Sequence, residues 1–303
     1  MIFVAGHTGC VGSAIVKRLK QAGYKKILTK KRAELDLTNQ REVYRFLKKN
    51  RPKFIIIAAA KVGGILSNIR YPAEFIYQNI SIQTNLIHSA YLNNIKNIIF
   101  LASSCVYPKD SKQPLKEQYL LNGKPEETNC PYAIAKIAGI KMCESYNKQY
   151  NMNYISLIPC NTYGPNNSYD LNNSHFFSAL IKKIYNAKLN NQNKINLLGN
   201  PNTRRELIFS EDLADACIFF MKKKTKYKII NVGTGIDMSI KNYTKLILSQ
   251  LKFKCSIKFS GKFIGIKKKL LDVSLMKKLG FFPKVSLKEG FIITYNDFIK
   301  KNV

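Results

Sequence analysis

The N-terminal half of the chain alternates short apolar runs with longer stretches in which apolar residues recur at helical spacing. The short runs are rich in β-branched residues and have the length of buried strands; they lie at 2–5, 26–29, 54–58, 98–102 and 154–159. The longer stretches predict helices at 11–22, 40–50, 73–93 and 132–150. This alternation predicts an α/β fold with a doubly wound parallel sheet of the Rossmann type.

The pattern changes after residue 165. A polar loop at 166–173 leads into a predicted helix at 176–188, and the stretch 207–221 again has helical spacing before a buried strand at 229–232. The rest of the chain predicts short helices, a strand and loops. Two domains are therefore expected: a Rossmann domain of residues 1–165 and 207–235, and a smaller interleaved α/β lobe of residues 166–206 and 236–303.

Three glycines follow the first predicted strand and open the first predicted helix. Gly6, Gly9 and Gly12 have the spacing G-x-x-G-x-x-G. Glycines permit a tight turn and a close backbone approach, and a helix N-terminus attracts a diphosphate. A plain strand-to-helix turn would leave two of the three glycines unexplained. We therefore predict a dinucleotide-binding loop, whose other members are His7, Thr8, Cys10 and Val11.

The second predicted strand ends in cationic residues. Lys30, Lys31 and Arg32 stand where a dehydrogenase specific for NAD would carry a carboxylate for the ribose hydroxyls. Cations suit a 2′-phosphate, so NADPH is the predicted cofactor, with Lys31 and Arg32 as contacts. Asp36, in the next turn, is expected to contact the adenine edge. The Rossmann domain is thus interpreted as the NADP-binding domain and the smaller lobe as the substrate domain.

Tyr132 and Lys136 form a second chemical pattern. They lie four residues apart on a predicted helix, so the ammonium can sit beside the phenol and favour its ionised form. Ser103, at the end of a predicted strand, is expected to place its hydroxyl on the same substrate oxygen. Taken alone, such a pair is more often an ordinary surface contact. Together with the dinucleotide loop it indicates acid–base chemistry on a carbonyl or alcohol.

The net charge of +32 changes the interpretation little. Only eight of the 50 basic residues are arginine, and the lysines are spread along the chain without a basic stripe, so no specific nucleic-acid partner is expected. The seven cysteines are odd in number and show no metal-ligand spacing, which predicts reduced thiols and no metal site. With no leader pattern and no apolar run of about 20 residues, the prediction is a cytoplasmic protein without a membrane segment.

Eight motifs carry a family resemblance. They are, in chain order, GHTGCVG, AAAKVGGI, SSCVYP, PYAIAKIAGIK, NTYGP, NSH, RREL and KKLLDV. With them the sequence resembles the GDP-L-fucose synthase family, within the extended short-chain dehydrogenase/reductases, almost from end to end. That resemblance implies epimerisation of GDP-4-keto-6-deoxy-D-mannose at C3 and C5, followed by NADPH-dependent reduction at C4. It also implies a homodimer, formed through the helices 73–93 and 132–150.

The resemblance assigns roles to individual residues. Tyr132 and Ser103 would hold the enolate oxygen, Cys105 and His175 would exchange protons, with His175 as general acid, and Lys136 would bind the ribose and lower the pKa of the phenol. Because Cys105 lies two residues after Ser103, we expect it to face the same side of a strand end. Further implied cofactor contacts are Leu101, Ala102, Ser103, Ser104, Lys136, Pro159, Cys160, Asn161, Thr162 and His175.

For the substrate, the resemblance implies contacts from Asn161, Lys183, Leu198, Arg205 and Lys269. Three positions depart from the family pattern: Thr8 and Lys183 stand where arginine is expected, and Leu198 stands where tryptophan is usual. A lysine keeps the charge of an arginine but loses its bidentate geometry. The departures bear on nucleotide and cofactor discrimination and leave the catalytic set intact.

Other functions remain open at this point. A nucleotide-sugar 4,6-dehydratase would carry an Asp-Glu pair at the positions of Ser104 and Cys105, and a 4-epimerase would need no Cys/His pair. An NADPH-dependent reductase or epimerase with another sugar specificity is compatible with every motif. Outside the enzymes, a basic polyanion-binding protein or an NADPH sensor would explain the charge. Neither would use Cys105, Tyr132 and His175 together.

Overall fold

The structure is a computed structural model that describes residues 1–171, 174–261 and 265–302. Its strands are β1 Ile2–Ala5, β2 Ile27–Leu28, β3 Phe54–Ile57, β4 Asn97–Leu101, β5 Asn153–Pro159, β6 Asn161–Tyr163, β7 Lys194–Leu197, β8 Arg204–Phe209, β9 Ile229–Val232, β10 Asp237–Ser239, β11 Ser256–Phe259 and β12 Lys268–Lys269. Its helices are α1 Cys10–Gln21, α2 Gln40–Asn50, α3 Ile65–Arg70, α4 Pro72–Leu92, α5 Cys130–Tyr150, α6 Phe176–Leu189, α7 Ser210–Lys222, α8 Ile240–Gln250, α9 Ser274–Lys278 and α10 Leu287–Asn302. Short 3₁₀ turns occur at Ser104–Val106, Glu117–Tyr119 and Glu127–Asn129.

Six strands form the main sheet, in the order β2-β1-β3-β4-β5-β9, and every pair is parallel. The strands are rich in isoleucine and phenylalanine, which are buried because helices cover both faces. The α/β prediction is confirmed. The chain reverses its direction of travel across the sheet between β1 and β3, and such a switch point is where open parallel sheets bind ligands.

A smaller lobe packs beside the carboxyl ends of the main strands. Its central strand β8 pairs in parallel with β6 and β12 and antiparallel with β10, while β7 pairs with β11. The helices α6, α8 and α10 enclose a separate aromatic core that includes Phe177, Phe209, Tyr243 and Phe298. This lobe therefore has its own hydrophobic cluster.

The structure differs from the prediction at several elements. The stretch 207–221 is not one helix, because β8 continues to Phe209 and only then does α7 begin. The strand state of this apolar run is set by its pairing with three other strands, which local spacing does not reveal. Helix α3 was missed, and the second strand is shorter than predicted. Of the predicted polar loop, Asn172 and Asn173 lie outside the described residues.

The domain division stays a prediction, and the two hydrophobic clusters refine it. Leu271, Val273, Met276 and Phe281 pack on the core of the main sheet instead of the aromatic core of the smaller lobe. We propose the division predicted above with residues 271–281 moved to the Rossmann domain. No helix within the described ranges has both the length and the apolar character needed to cross a membrane.

Candidate active site

Two connected clefts lie at the carboxyl ends of the main strands. The glycine-loop cleft, of about 840 Å³, runs from residues 6–12 past 30–38 and 58–63 to the end of β5. The cation cleft, of about 340 Å³, lies between this sheet and the smaller lobe and contains Lys183, Arg205 and Lys269. Residues that line both clefts mark where they meet: Gly63, Asn68, Ser103, Tyr132, Asn161 and His175.

The glycine loop is shaped by backbone contacts. Gly6 has a φ of +85°, and a Cβ there would lie 2.6 Å from the backbone of Ala59. A Cβ on Gly12 would lie 1.9 Å from the carbonyl oxygen of Gly6. Gly9 precedes α1 and provides no side-chain cap, so the amides of the first helical turn line the cleft. A close turn that leads into a helix N-terminus fits the diphosphate of a dinucleotide.

Gly12→Ala is expected to destabilise the fold by about 3 kcal/mol or more, because the new Cβ has only backbone atoms to displace. Gly9→Ala is the matched control. Its Cβ would find its nearest neighbour, the Gly6 carbonyl oxygen, at 3.8 Å, an ordinary contact distance. Urea unfolding of both variants measures the difference. Equal unfolding free energies would show that the loop relaxes around Gly12 without cost.

The end of the cleft that is predicted to bind the 2′-phosphate is cationic, and carboxylates hold part of it in place. Lys30, Lys31 and Arg32 all line it. Glu34 accepts from the Lys30 ammonium at 2.8 Å and from the Lys31 amide at 2.8 Å, which fixes the turn. Asp36 also lines the cleft and accepts from the amide and hydroxyl of Thr38, and the amide bond in particular holds the pKa of Asp36 below its usual value.

The Tyr132/Lys136 pair lies in the first two turns of α5, which begins with proline in its first turn. The Lys136 ammonium donates to the carbonyl of Leu101 at 2.8 Å and lies 5.8 Å from the centre of the Tyr132 ring. Burial lowers the pKa of Lys136 to about 8. Burial also raises the pKa of Tyr132, which differs from the predicted lowering by Lys136. The phenol is therefore a proton donor at neutral pH.

Ser103 and Cys105 lie beside each other because of a 3₁₀ turn, and the predicted strand alternation is not the reason. Strand β4 ends at Leu101, and Cys105 lies in a 3₁₀ turn for which Ser103 is the cap, its hydroxyl accepting from the Cys105 amide at 3.5 Å. Both residues line the cation cleft. Burial raises the pKa of the Cys105 thiol, and the charge of Lys269 opposes that rise.

His175 is the residue before α6 and lies where the two clefts meet. Its ring remains open to solvent, yet the surrounding protein lowers its pKa, and the positive charge of Lys269 lowers it further. A lowered pKa favours the neutral imidazole at neutral pH, so His175 would first gain a proton before it acts as the predicted general acid. Asn173, the first residue of the NSH motif, lies outside the described residues; Ser174 lines the cation cleft.

The cations of the substrate cleft come from three elements. Arg205 on β8 and Lys269 on β12 are register partners in neighbouring parallel strands, and Lys183 reaches the cleft from α6. Burial lowers the pKa of Arg205 to about 10 and also lowers that of Lys269. Leu198 is 65% exposed at the rim of the same cleft. Two neighbouring cations in a partly desolvated cleft form an anion site.

The structure brings all but one of the predicted site residues to these clefts. Ser104 is the exception, because its side chain is buried away from both of them. The glycine-loop cleft contains Gly6, His7, Thr8, Gly9, Cys10, Val11, Gly12, Lys31, Arg32, Asp36, Leu101, Ala102, Ser103, Tyr132, Lys136, Pro159, Cys160, Asn161, Thr162 and His175. The cation cleft contains Cys105, Lys183, Leu198, Arg205 and Lys269 together with the shared residues.

Sequence reasoning missed a loop that separates the two clefts. Lys61 and Gly63 line the glycine-loop cleft, and Asn79 on α4 holds the backbone of Lys61 by accepting from its amide and donating to its carbonyl, both at 3.0 Å. Asn79 is fully buried, so these two hydrogen bonds are shielded from water. The AAAKVGGI motif covers this loop and could have identified it as part of the site. Among the described residues, no group of histidine, cysteine and carboxylate side chains could hold a metal ion.

The chain is similar to known proteins in sequence and in fold. The model of the "NAD dependent epimerase/dehydratase family" matches residues 2–233. The chain is 44% identical to putative GDP-L-fucose synthase 2 of Arabidopsis thaliana over 100% of this chain and 92% of that protein, and 42% identical to GDP-L-fucose synthase of Escherichia coli over 99% and 96%. The solved structure of a GDP-6-OMe-4-keto-L-xylo-heptose reductase from C. jejuni superposes with a TM-score of 0.92 at 34% identity, covering 99% of this chain and 98% of that one.

The two synthases and the solved structure match this chain almost from end to end, so sequence and fold agree in their classification. The chain belongs to the NAD dependent epimerase/dehydratase family and, within it, groups with the GDP-L-fucose synthases.

Proposed function

We propose that this protein converts GDP-4-keto-6-deoxy-D-mannose to GDP-L-fucose, by epimerisation at C3 and C5 and NADPH-dependent reduction at C4. The observation that carries the proposal is the junction of the two clefts. Ser103, Tyr132 and His175 line both of them, and Cys105 lines the cation cleft beside them. A sugar held there by its nucleotide would meet the cofactor and the acid–base groups in one site.

The glycine-loop cleft suits NADPH by shape and charge. Its volume, its Gly12 turn and its cationic end at Lys31 and Arg32 fit a dinucleotide with a 2′-phosphate. When bound, the cofactor supplies a hydride for C4. Tyr132 keeps its proton and would donate it to the C4 oxygen, while Ser103 would hold that oxygen by a second hydrogen bond. Lys136 would bind the ribose and remain anchored to Leu101.

Epimerisation needs an enolate, a base and an acid. Tyr132 and Ser103 would stabilise the enolate oxygen as they do the C4 oxygen in the reduction. Cys105 and His175 supply the proton exchange. Burial raises the pKa of Cys105 and lowers that of His175, which favours a neutral thiol and a neutral imidazole; this form holds as many protons as a thiolate with an imidazolium. One proton shift therefore converts the resting pair into a base and an acid, with Cys105 as the base.

The GDP end of the substrate would lie against Arg205, Lys269 and Lys183. Arg205 presents a guanidinium fork, and the two lysines add point charges for the diphosphate. Asn161 lines both clefts and is placed to contact the sugar. Leu198, exposed at the rim, would offer an apolar surface to the base.

A reductase of another GDP-sugar is the second candidate. The heptose reductase from C. jejuni shares this fold at 34% identity, and Lys183 and Leu198 depart from the fucose synthase pattern. A 4,6-dehydratase is disfavoured, because Ser104 and Cys105 replace the expected acidic pair and Ser104 is buried away from both clefts.

Purified protein mixed with GDP-4-keto-6-deoxy-D-mannose is expected to oxidise NADPH and release GDP-L-fucose. In deuterated water the product should carry deuterium at C3 and C5, because both hydrogens leave through solvent-exchanging groups. Mass spectrometry and NMR of the product measure both steps. Reduction without deuterium at C3 and C5 would assign a C4 reductase, and the absence of NADPH oxidation beside an active control enzyme would exclude the proposal.

We further propose that the protein is a cytoplasmic homodimer formed through α4 and α5. Tyr77 and Ile80 on α4 and Ile134 on α5 are exposed apolar side chains on these helices. All seven cysteines are free thiols, which supports a reducing compartment. Sedimentation analysis of the purified protein tests the dimer, and Tyr77→Lys should shift it toward monomer.

A further inference from the structure

A short segment of the predicted substrate lobe forms part of the glycine-loop cleft. Asn166, Asn167 and Ser168 all line this cleft, and we call residues 166–168 the strap. The same cleft contains the glycine loop and the start of α1, whose free amides fit a diphosphate. The function proposed above gives the strap no part in the chemistry. Its position beside the cofactor site therefore needs another reason.

Asn166 joins the strap to the first turn of α1. Its side-chain amide donates to the Ser13 hydroxyl at 3.0 Å, and that hydroxyl donates to the carbonyl of Cys10 at 3.2 Å. Cys10 is the first residue of α1. Asn166 has a φ of +60°, a left-handed conformation that asparagine adopts more readily than most residues. The strap is thus held at the helix terminus that fits the diphosphate.

Helix α10 holds the strap from a second direction. The backbone amide of Asn166 donates to the Asp297 carboxylate at 2.9 Å, and the Lys301 ammonium donates to the side-chain oxygen of Asn166 at 2.6 Å. Lys301 also forms an ion pair with Asp297 at 2.9 Å. Directly after the strap, the buried Tyr169 donates its hydroxyl to the carbonyl of Thr294 at 3.2 Å. The chain is therefore anchored to α10 on both sides of the strap.

We propose that Asp297 and Lys301 are positioning residues for the cofactor, which hold the strap in place through Asn166 as one wall of the NADPH site; this rests on the cofactor assigned above. Neither residue lines either cleft, so both act through the strap. A fixed wall slows release of the bound dinucleotide. The strap does not line the cation cleft, so the affinity for GDP does not depend on it.

The charge of Asp297 separates positioning from direct electrostatics. NADPH is a polyanion, so a nearby carboxylate that acted through its charge alone would weaken binding, and its removal would strengthen binding. Loss of the anchor has the opposite sign. Asp297→Ala should raise the Kd of NADPH by about fivefold or more, measured by the fluorescence of the bound cofactor. Asp110→Ala removes the same charge from an exposed residue outside both clefts and should bind NADPH as wild type does.

Two neighbouring lysines of α10 provide a second, matched comparison. Lys301→Ala and Lys300→Ala each remove one positive charge from the last turn of the helix, but only the first removes the hydrogen bond to Asn166. The Kd of NADPH for Lys301→Ala should exceed that for Lys300→Ala by about threefold or more. Both variants should bind GDP with the affinity of wild type.

Unchanged or tighter NADPH binding by Asp297→Ala would overturn the proposal, as would equal NADPH affinities of the two lysine variants. A matching loss of GDP affinity in Asp297→Ala or Lys301→Ala would indicate general structural damage and would also overturn it. Cofactor binding requires no turnover, so a failed sugar assay leaves these results standing. Absence of NADPH binding by wild type would overturn the cofactor assignment and the role of the strap together.

Discussion

Tyr132→Phe is expected to lower kcat/KM for the GDP-sugar by about 10³-fold or more. The phenol hydroxyl is proposed to donate the proton in the reduction and to hold the enolate oxygen in the epimerisation, so its removal affects both steps. Burial raises the pKa of Tyr132, which means that the hydroxyl carries its proton throughout the neutral range. NADPH oxidation and deuterium incorporation at C3 and C5 are the two measurements.

Tyr227→Phe is the control for this variant, because Tyr227 is 38% exposed and does not line either cleft. It should retain the activity of wild type. If Tyr132→Phe lost NADPH oxidation but incorporated deuterium at the wild-type rate, the phenol would serve the reduction alone. Ser103 would then be the principal group on the enolate oxygen.

Cys105→Ser is expected to slow deuterium exchange at C3 and C5 by about 10²-fold to 10³-fold. A serine hydroxyl has nearly the size of the thiol but is far harder to ionise, so the base is lost while the 3₁₀ turn and its Ser103 cap remain. The reverse of the reduction step, oxidation of GDP-L-fucose by NADP, needs no epimerisation and should fall by less than about fivefold. The two assays together separate the role of Cys105 from a general loss of structure.

Cys255→Ser is the control, because Cys255 is half-buried in the smaller lobe and does not line either cleft. No change in either assay is expected. An equal loss of exchange and of GDP-L-fucose oxidation in Cys105→Ser, at unchanged unfolding free energy, would assign Cys105 to substrate positioning instead of proton transfer.

The parts of the fold that the sequence predicted correctly are those with a strong local pattern. The strand that became β1, the glycine turn at Gly12 and the start of α5 each depend on residues within about 12 positions of one another. Helix α3 was missed because its six residues are fewer than two helical turns. Strand β8 was misassigned because its conformation depends on pairing with β6, β10 and β12, all distant in the chain.

In the candidate site, too, local patterns were predicted correctly and effects of tertiary packing were not. Cys105 was expected in the cleft on the basis of strand alternation, yet a 3₁₀ turn places it there. The pKa of Tyr132 was expected to fall under the influence of Lys136, whereas burial raises it. Glu126 carries no sequence signal, because its place in the cation cleft depends on contacts between distant parts of the chain. Residue types and spacing thus predict the members of a site, and packing determines their protonation.

The pairing of β8 with β12 has a consequence for how substrate range can change in this fold. The backbone positions of Arg205 and Lys269 are held at the spacing of neighbouring strands, about 4.8 Å, by the pairing of β8 with β12. The two cationic side chains therefore begin beside each other, from where both can reach one diphosphate. The loops that surround the sugar lie outside these two strands, so a change of sugar specificity need not disturb the contacts of Arg205 and Lys269 with the nucleotide.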